Sequence, residues 1–383
     1  MKLPILTFIL SSSVLVSATS KSCTDYTISV SVTSSNYAFS TAFEDDFQLI
    51  DFLTDATSRD NSSFHPFTGQ VKQTGSYSIS GTFCAPTGGA KKNTVLLLSH
   101  GLGFDRSYWH PAISPEKYSF VDFAIGKGYA VFYYDRLGVG ESITVSGYVN
   151  QGTIQVAILQ SLIKSIRSGK YTGSGKAPGK VVLVGHSFGR SISAGALTLE
   201  PDLADGYSYS GVNVAGFIQA TGLRIAAVQH ASKWGHLDNV NFNFLISSNL
   251  SYTNVIQGYV TGVDLYANIN VFFKANDYDP AFAAYIDSTR SPLAINELVS
   301  LGLLPQTPVD FRGPAMVITG QYDFVFCQSQ CDDILKPGAA PIFKKARAFD
   351  AVSYPGSGHA LNLASNAQGA FEIITNFLQH NGL

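Results

Sequence analysis

Nine consecutive residues constrain this chain more than any other stretch: Val181-Val182-Leu183-Val184-Gly185-His186-Ser187-Phe188-Gly189. The aliphatic run at its start reads as a strand buried on both faces, and the segment Arg190 to Leu199 that follows is helix-compatible. Passing from such a strand into such a helix within a few residues demands a sharp turn. Glycine suits positions 185 and 189 because a side chain at either would collide with neighbouring backbone. The same turn presents the Ser187 hydroxyl at its tip. An isolated G-x-S-x-G arises by chance in many chains, whereas one framed by an apolar strand and a helix is specific.

A strand buried on both faces needs neighbours of its own kind. Short apolar runs at Val95 to Leu98, Ala130 to Tyr134, Val214 to Ile218 and Ala315 to Thr319 supply them and read as parallel strands. Between two of these runs, Ile154, Ile158, Leu162 and Ile166 fall on one face of a helix spanning Ile154 to Ile166. Strands alternating with helices predict an α/β fold with a doubly wound, mostly parallel sheet. Two β-rich stretches, Tyr26 to Val32 and Tyr77 to Phe83, read as antiparallel edge strands separated by a Ser/Thr/Asp-containing segment with turns. From about Arg224 to Asp310 the alternation breaks and aromatics accumulate, among them Trp234, Phe242, Phe244, Tyr252, Tyr259, Tyr266, Phe272, Phe273 and Tyr285. This stretch is read as an inserted, mostly helical cap over residues 224–310, dividing the core into parts at 19–223 and 311–383. Composition agrees with a large core, since 45% of the 383 residues are hydrophobic and 14% charged, against about 25% charged in an average soluble protein.

At Gly185-His186-Ser187-Phe188-Gly189 the chain resembles the α/β-hydrolase superfamily, and the resemblance extends over about residues 76 to 380. Leu96-Leu97-Leu98-Ser99-His100-Gly101-Leu102-Gly103 is similar to the family's oxyanion loop after its third strand, although this chain has H-G-L-G where many esterases have H-G-G-G. The likeness implies the Leu102 N–H as one oxyanion donor beside that of Phe188, with His100, Gly101, Gly185, His186 and Gly189 supporting the two turns. Tyr133-Tyr134-Asp135-Arg136-Leu137-Gly138-Val139-Gly140-Glu141-Ser142 is similar to the family's D-x-x-G-x-G-x-S turn, where Asp135 and Arg136 are read as holding the loop together. The family orders its triad serine, acid, histidine. Asp323, after the strand Ala315 to Thr319, matches the acid, and His359, 36 positions later behind Gly356-Ser357-Gly358, matches the base. Asp310, Asp332 and Asp333 are competitors for the acid, but none ends an apolar strand. Serine at the elbow argues against the aspartate-based chemistry of epoxide hydrolases and dehalogenases in this superfamily.

The expected chemistry is therefore acyl transfer through Ser187, Asp323 and His359, with neither metal nor cofactor. Histidine takes the serine proton, the acid fixes its tautomer, and backbone N–H groups stabilise the tetrahedral oxyanion. The leading expectation is hydrolysis of a carboxylic ester or lactone on a small-molecule or lipid-like, fairly apolar substrate. Two alternatives stay open at this stage: an acyltransferase or cyclase using the same triad, and a non-catalytic binding protein on the same fold. A net charge of −2 without a basic run points away from nucleic acid.

The N-terminal MKLPILTFILSSSVLVSATS has the layout of a secretory signal peptide over residues 1–18, with cleavage expected after Ala18 and secretion as the consequence. Its apolar run is short for a membrane span, so stable membrane insertion is not expected. Four cysteines follow, and three pairings are open in principle. The closeness of Cys327 and Cys331 favours joining them, which leaves Cys23 for Cys84. A single C-x3-C lacks the ligand count for zinc. The sequons at Asn61 and Asn249 are candidate glycan acceptors.

Overall fold

The apolar runs become the middle of an eight-stranded sheet in the computed structural model, which describes residues 20–43, 45–60, 62–209, 224–225 and 258–383. In chain order the strands are β1 (Lys21–Phe39), β2 (Phe67–Pro86), β3 (Thr94–Ser99), β4 (Ala130–Tyr134), β5 (Lys180–Gly185), β6 (Gly206–Tyr209), β7 (Arg224–Ile225), β8 (Tyr259–Thr261), β9 (Leu293–Ala294), β10 (Ala315–Gly320) and β11 (Phe349–Tyr354). The large sheet runs β1-β2-β4-β3-β5-β6-β10-β11, and β7, β8 and β9 form a small antiparallel sheet of their own. In the large sheet β2 is antiparallel to both β1 and β4, and the remaining neighbours are parallel. This is the mostly parallel α/β architecture expected from the sequence.

Burial explains why the central runs are so uniformly aliphatic. Leu96, Leu97, Leu98, Val181, Val182 and Leu183 have almost no exposure, and two helix pairs cover the sheet: Gly152–Arg167 with Phe188–Leu199, and Phe120–Gly126 with Ala367–His380. Each such side chain contributes about 1.5–3 kcal/mol by leaving water, before the opposing chain entropy is counted. In the helix Gly152–Arg167 the residues Ile154, Ile158, Leu162 and Ile166 are all buried, as their spacing requires.

Three elements differ from the reading of the sequence. The N-terminal strands are 19 and 20 residues long, because the hydroxyl-rich stretches beyond the apolar segments continue the ladder from Lys21 opposite Pro86 to Phe39 opposite Phe67. The segment between them contains a helix, Asp46–Thr57, capped by Asp45 accepting from Gln48 N–H at 2.9 Å and burying Leu49, Phe52 and Leu53. The place between β5 and β10 belongs to Gly206–Tyr209, while the expected strand at Val214 to Ile218 lies outside the described residues. Gly206-Tyr207-Ser208-Tyr209 reads as polar, yet Tyr207 is buried and its hydroxyl donates to the Arg190 carbonyl at 2.9 Å.

Between β6 and β10, the described residues comprise the small sheet and the short helices Leu265–Phe272, Pro280–Ser288 and Ile295–Val299. Asp264 and Asp279 cap the first two of these helices through Ala267 N–H and Ala281 N–H. Of the aromatics singled out in this stretch, Trp234, Phe242, Phe244 and Tyr252 lie outside the described residues, as do residues 1–18, Asn61 and Asn249. Among the described residues no helix is long and apolar enough to cross a membrane.

Candidate active site

Ser187 stands between β5 and the helix Phe188–Leu199 with φ 53° and ψ −119°, a left-handed backbone that a non-glycine residue adopts only when its surroundings impose it. The imposition is visible at the flanking glycine. A Cβ on Gly189 would lie 2.0 Å from the Ser99 carbonyl oxygen, so the start of the helix is seated directly on the end of β3. Phe188 opens the helix, where the first N–H groups have no intrahelical acceptor and the helix dipole favours negative charge.

The acid and base candidates meet at the far side of the sheet. β10 and β11 are parallel neighbours paired from Ala315–Phe349 to Gly320–Tyr354, so the loops leaving their C-terminal ends emerge side by side. Asp323 caps the short helix Phe324–Cys327, its Oδ1 accepting from Phe326 N–H at 2.8 Å. Its Oδ2 accepts from His359 Nδ1–H at 2.8 Å and from Thr319 Oγ1–H at 2.5 Å. Both residues are fully buried, and His359 Nε2 has no hydrogen-bond partner among the described residues. The imidazole is thus held in the tautomer that leaves Nε2 able to accept a proton. His186, next to Ser187, reaches this histidine: its Nε2–H donates to the His359 carbonyl at 3.2 Å, with ring centroids 5.0 Å apart.

The loop after β3 closes the arrangement. A Cβ on Gly101 would lie 2.8 Å from Ser187 Cβ and 2.8 Å from His186 Nδ1, which brings the loop carrying Leu102 against the serine. His100 donates from Nδ1 to the Gly101 carbonyl at 2.9 Å and accepts at Nε2 from Arg136 N–H at 3.1 Å. Burial, with the Arg136 charge, pushes His100 well below the ordinary histidine range, and burial followed by the His359 ring does the same for His186. Both rings are thereby neutral supports. The D-x-x-G-x-G-x-S turn is knotted as its residue types suggest: Asp135 accepts from the N–H groups of Arg106 and Glu141 at 2.9 Å each, and Ser142 Oγ donates to the Asp135 carbonyl at 2.7 Å.

Tyr108, Thr319 and Glu297 escaped the reading of the sequence, whereas Phe272 is among the aromatics singled out in residues 224–310. Tyr108 is buried and stacks on His186 with centroids 4.3 Å apart, burial pushing its hydroxyl far above the ordinary tyrosine range. Phe272 packs between Phe104 at 4.6 Å and His359 at 6.2 Å, and its carbonyl accepts from Ala360 N–H at 3.0 Å. Thr319 is the last strand residue but one before the acid, a position whose spacing to Asp323 could have flagged it. The buried pair of Arg136 with Glu297 had no such signal. Disulfides join Cys23 to Cys84, directly opposite each other on β1 and β2, and Cys327 to Cys331, immediately after the acid. Among the described residues no group of three His, Cys, Asp or Glu converges as a metal site.

The sequence profile of a family described as "Alpha/beta hydrolase family" matches residues 95–372, from β3 into the last helix. Among solved structures the chain is similar to a thermophilic esterase from Thermogutta terrifontis, at 14% identity over 81% of this chain and 96% of that one, with a TM-score of 0.51. It is also similar to a bromoperoxidase from Bacillus anthracis (18% identity, 80% and 96% covered, TM-score 0.49) and to an alpha/beta hydrolase from Penicillium sp. sh18 (13%, 80% and 94%, 0.49). No curated protein matches the chain. At 14% identity the likeness to the esterase speaks to the fold alone.

Proposed function

The chain belongs to the alpha/beta hydrolase family, and from that premise we propose that it is a serine-dependent carboxylic ester hydrolase acting through an acyl-enzyme. One observation carries the reading: an Asp323-oriented histidine, whose buried Nε2 is engaged by none of the described residues, lies against the residue next to a serine held at φ 53°. In this reading His359 Nε2 takes the Ser187 proton as Oγ attacks the ester or lactone carbonyl. The Leu102 and Phe188 N–H groups receive the oxyanion. Collapse of the tetrahedral intermediate breaks the carbonyl–oxygen bond to the leaving alcohol, which His359 protonates. Water, activated by the same nitrogen, then releases the acid and regenerates Ser187. Asp323 stabilises the imidazolium in both halves.

The aromatic setting supports an uncharged, fairly apolar acyl group. Phe104, Tyr108 and Phe272 pack around the two histidines and make their surroundings apolar. Residues 224–310 act in this proposal as the cap that shapes that choice. Two disulfides and the leader-like first 18 residues support secretion, with glycans at Asn61 and Asn249 as a corollary.

Labelling with a fluorophosphonate, followed by hydrolysis of p-nitrophenyl esters of increasing chain length, tests the chemistry. Wild-type protein is expected to label and turn over, and Ser187→Ala to do neither. Labelling that persists in Ser187→Ala would overturn the assignment. For export, the intact mass of protein recovered from culture medium of a eukaryotic host is expected to begin after Ala18. Retention in the cells with the leader attached would overturn it.

A further inference from the structure

Arg136 is always charged, yet its side chain is wholly removed from solvent, and so is its partner Glu297. An apolar pair of equal volume is often as stable as a buried ion pair or more so, which directs attention to what this pair touches. Arg136 lies just after β4, in the turn that also contains Asp135. Glu297 lies 161 positions later, in the helix Ile295–Val299 between β9 and β10. Its carboxylate is anchored further by Gln155 Nε2–H at 2.7 Å and Ala294 N–H at 3.4 Å.

From that anchorage the guanidinium reaches both parts of the oxyanion site proposed above. Its Nη2 donates to the Gly101 carbonyl at 3.3 Å, and its carbon lies 4.7 Å from the centroid of the Phe188 ring. The Gly101 carbonyl and the Leu102 N–H are two ends of one trans peptide group and so point to opposite sides of it. A cation holding the carbonyl therefore fixes the direction of that N–H and polarises it as a donor. The stack on Phe188 steadies the residue that carries the other donor. Just before β9, Ser291 grips the same loop as well, its N–H donating to the Gly103 carbonyl at 3.0 Å.

We propose that the Arg136–Glu297 pair is a positioning device, through which the segment between β9 and β10 locks the Leu102 and Phe188 donors into the geometry that receives the oxyanion. The inference rests on the serine-hydrolase reading of the site. Arg136 touches no reacting atom and acts through the Gly101–Leu102 peptide.

Three variants separate positioning from mere support: Arg136→Lys, Glu297→Gln, and the double variant Arg136→Met with Glu297→Leu. Lysine keeps a charge for Glu297 but lacks the planar fork that reaches the Gly101 carbonyl as well. Deleting an oxyanion donor outright costs about 10²–10³ in kcat, so misaiming one is expected to cost about ten- to hundredfold, with KM for a small activated ester within about threefold. The apolar double variant leaves no unpaired charge and is expected to recover the wild-type melting temperature while kcat stays low. Amide hydrogen exchange in a peptide spanning residues 100–104 is expected to quicken in all three. A folded double variant with wild-type kcat, or unchanged exchange at 100–104, overturns the proposal. If wild-type protein neither hydrolyses esters nor takes the fluorophosphonate, it is the serine reading that falls; exchange at 100–104 then decides the lock by itself, in the same directions.

Discussion

His359 Nδ1 donates to one oxygen of Asp323 at 2.8 Å, while the other oxygen of the same carboxylate caps a helix through Phe326 N–H at 2.8 Å. The acid cannot turn away from the histidine without uncapping the helix. Asparagine is an equally good cap but offers an amide in place of a carboxylate. Asp323→Asn is therefore expected to leave the melting temperature within about 2 °C, since a conserved cap changes stability by only a few tenths of a kcal/mol. It should lower kcat by about 10³–10⁴, as loss of the correct histidine tautomer does elsewhere. Steady-state kinetics on a small activated ester check it, and a fall of less than tenfold would show that Asp323 is not the acid.

Ser187→Ala and His359→Ala are each expected to remove serine-dependent turnover, and the double variant to be barely slower than either. Residues that work as one unit give non-additive losses. Multiplying effects in the double variant, measured on the same ester, would mean that the two do not act together.

The two disulfides are expected to behave oppositely. Cys23–Cys84 spans 61 positions and ties β1 to β2, so Cys23→Ser/Cys84→Ser should lose about 4 kcal/mol by the chain-entropy estimate and leave kcat nearly unchanged. Cys327–Cys331 closes a loop of only four positions, worth about 2 kcal/mol, but the Cys327 N–H donates to the Asp323 carbonyl at 3.2 Å. Its removal should lower turnover more than melting temperature, because a catalytic group displaced by about 1 Å can lose a hundredfold in rate. Urea unfolding and kinetics on both double variants test the contrast, and unchanged turnover without Cys327–Cys331 would make that staple catalytically irrelevant.

Asp135 is expected to give stability a pH dependence whose sign follows from its burial. Burial first, then the Asp105 charge, raises it to about 6 against the opposing pull of Arg106. The folded protein thus holds this proton more tightly than the unfolded chain does. The contribution is complete below about pH 4 and is lost as pH rises through about 6. Asp135→Asn, neutral throughout, is expected to flatten the stability profile between those limits. Parallel profiles for the two proteins in urea unfolding at pH 4, 5, 6 and 7 would remove Asp135 as the cause.

Phe272 separates Phe104 from His359 and belongs to the stretch proposed to select the acyl group. Phe272→Leu keeps the site apolar while reshaping it. The ratio of kcat/KM between long and short p-nitrophenyl esters is expected to shift by about tenfold, the range available from a methylene or two, with turnover of the acetate little changed. An unshifted ratio would make Phe272 a scaffold residue.

Local sequence alone determined the elements whose signal is local. Four aliphatic residues before Gly185 require a strand buried on both faces, and Gly189 admits no side chain because the carbonyl of Ser99 occupies its place. Asp323 and His359 stood out as candidates because the resemblance implies the order serine, acid, histidine and each follows an apolar run or a glycine turn at a strand end. The strand Gly206–Tyr209 did not stand out, since its tyrosines and serine look solvent-exposed until Arg190 is known to accept the Tyr207 hydroxyl. Nor did the helix Asp46–Thr57, whose buried Leu49, Phe52 and Leu53 are diluted by polar neighbours. Only the tertiary structure decided that Tyr108 stacks on His186 and that Arg136 finds Glu297 across 161 positions. Hydrophobic periodicity records which face of an element is buried, because every apolar neighbour satisfies it equally. A buried charge or hydroxyl is satisfied only by partners at particular distances and angles, and the distant ones among them are set by how the strands are ordered and not by how the residues are spaced.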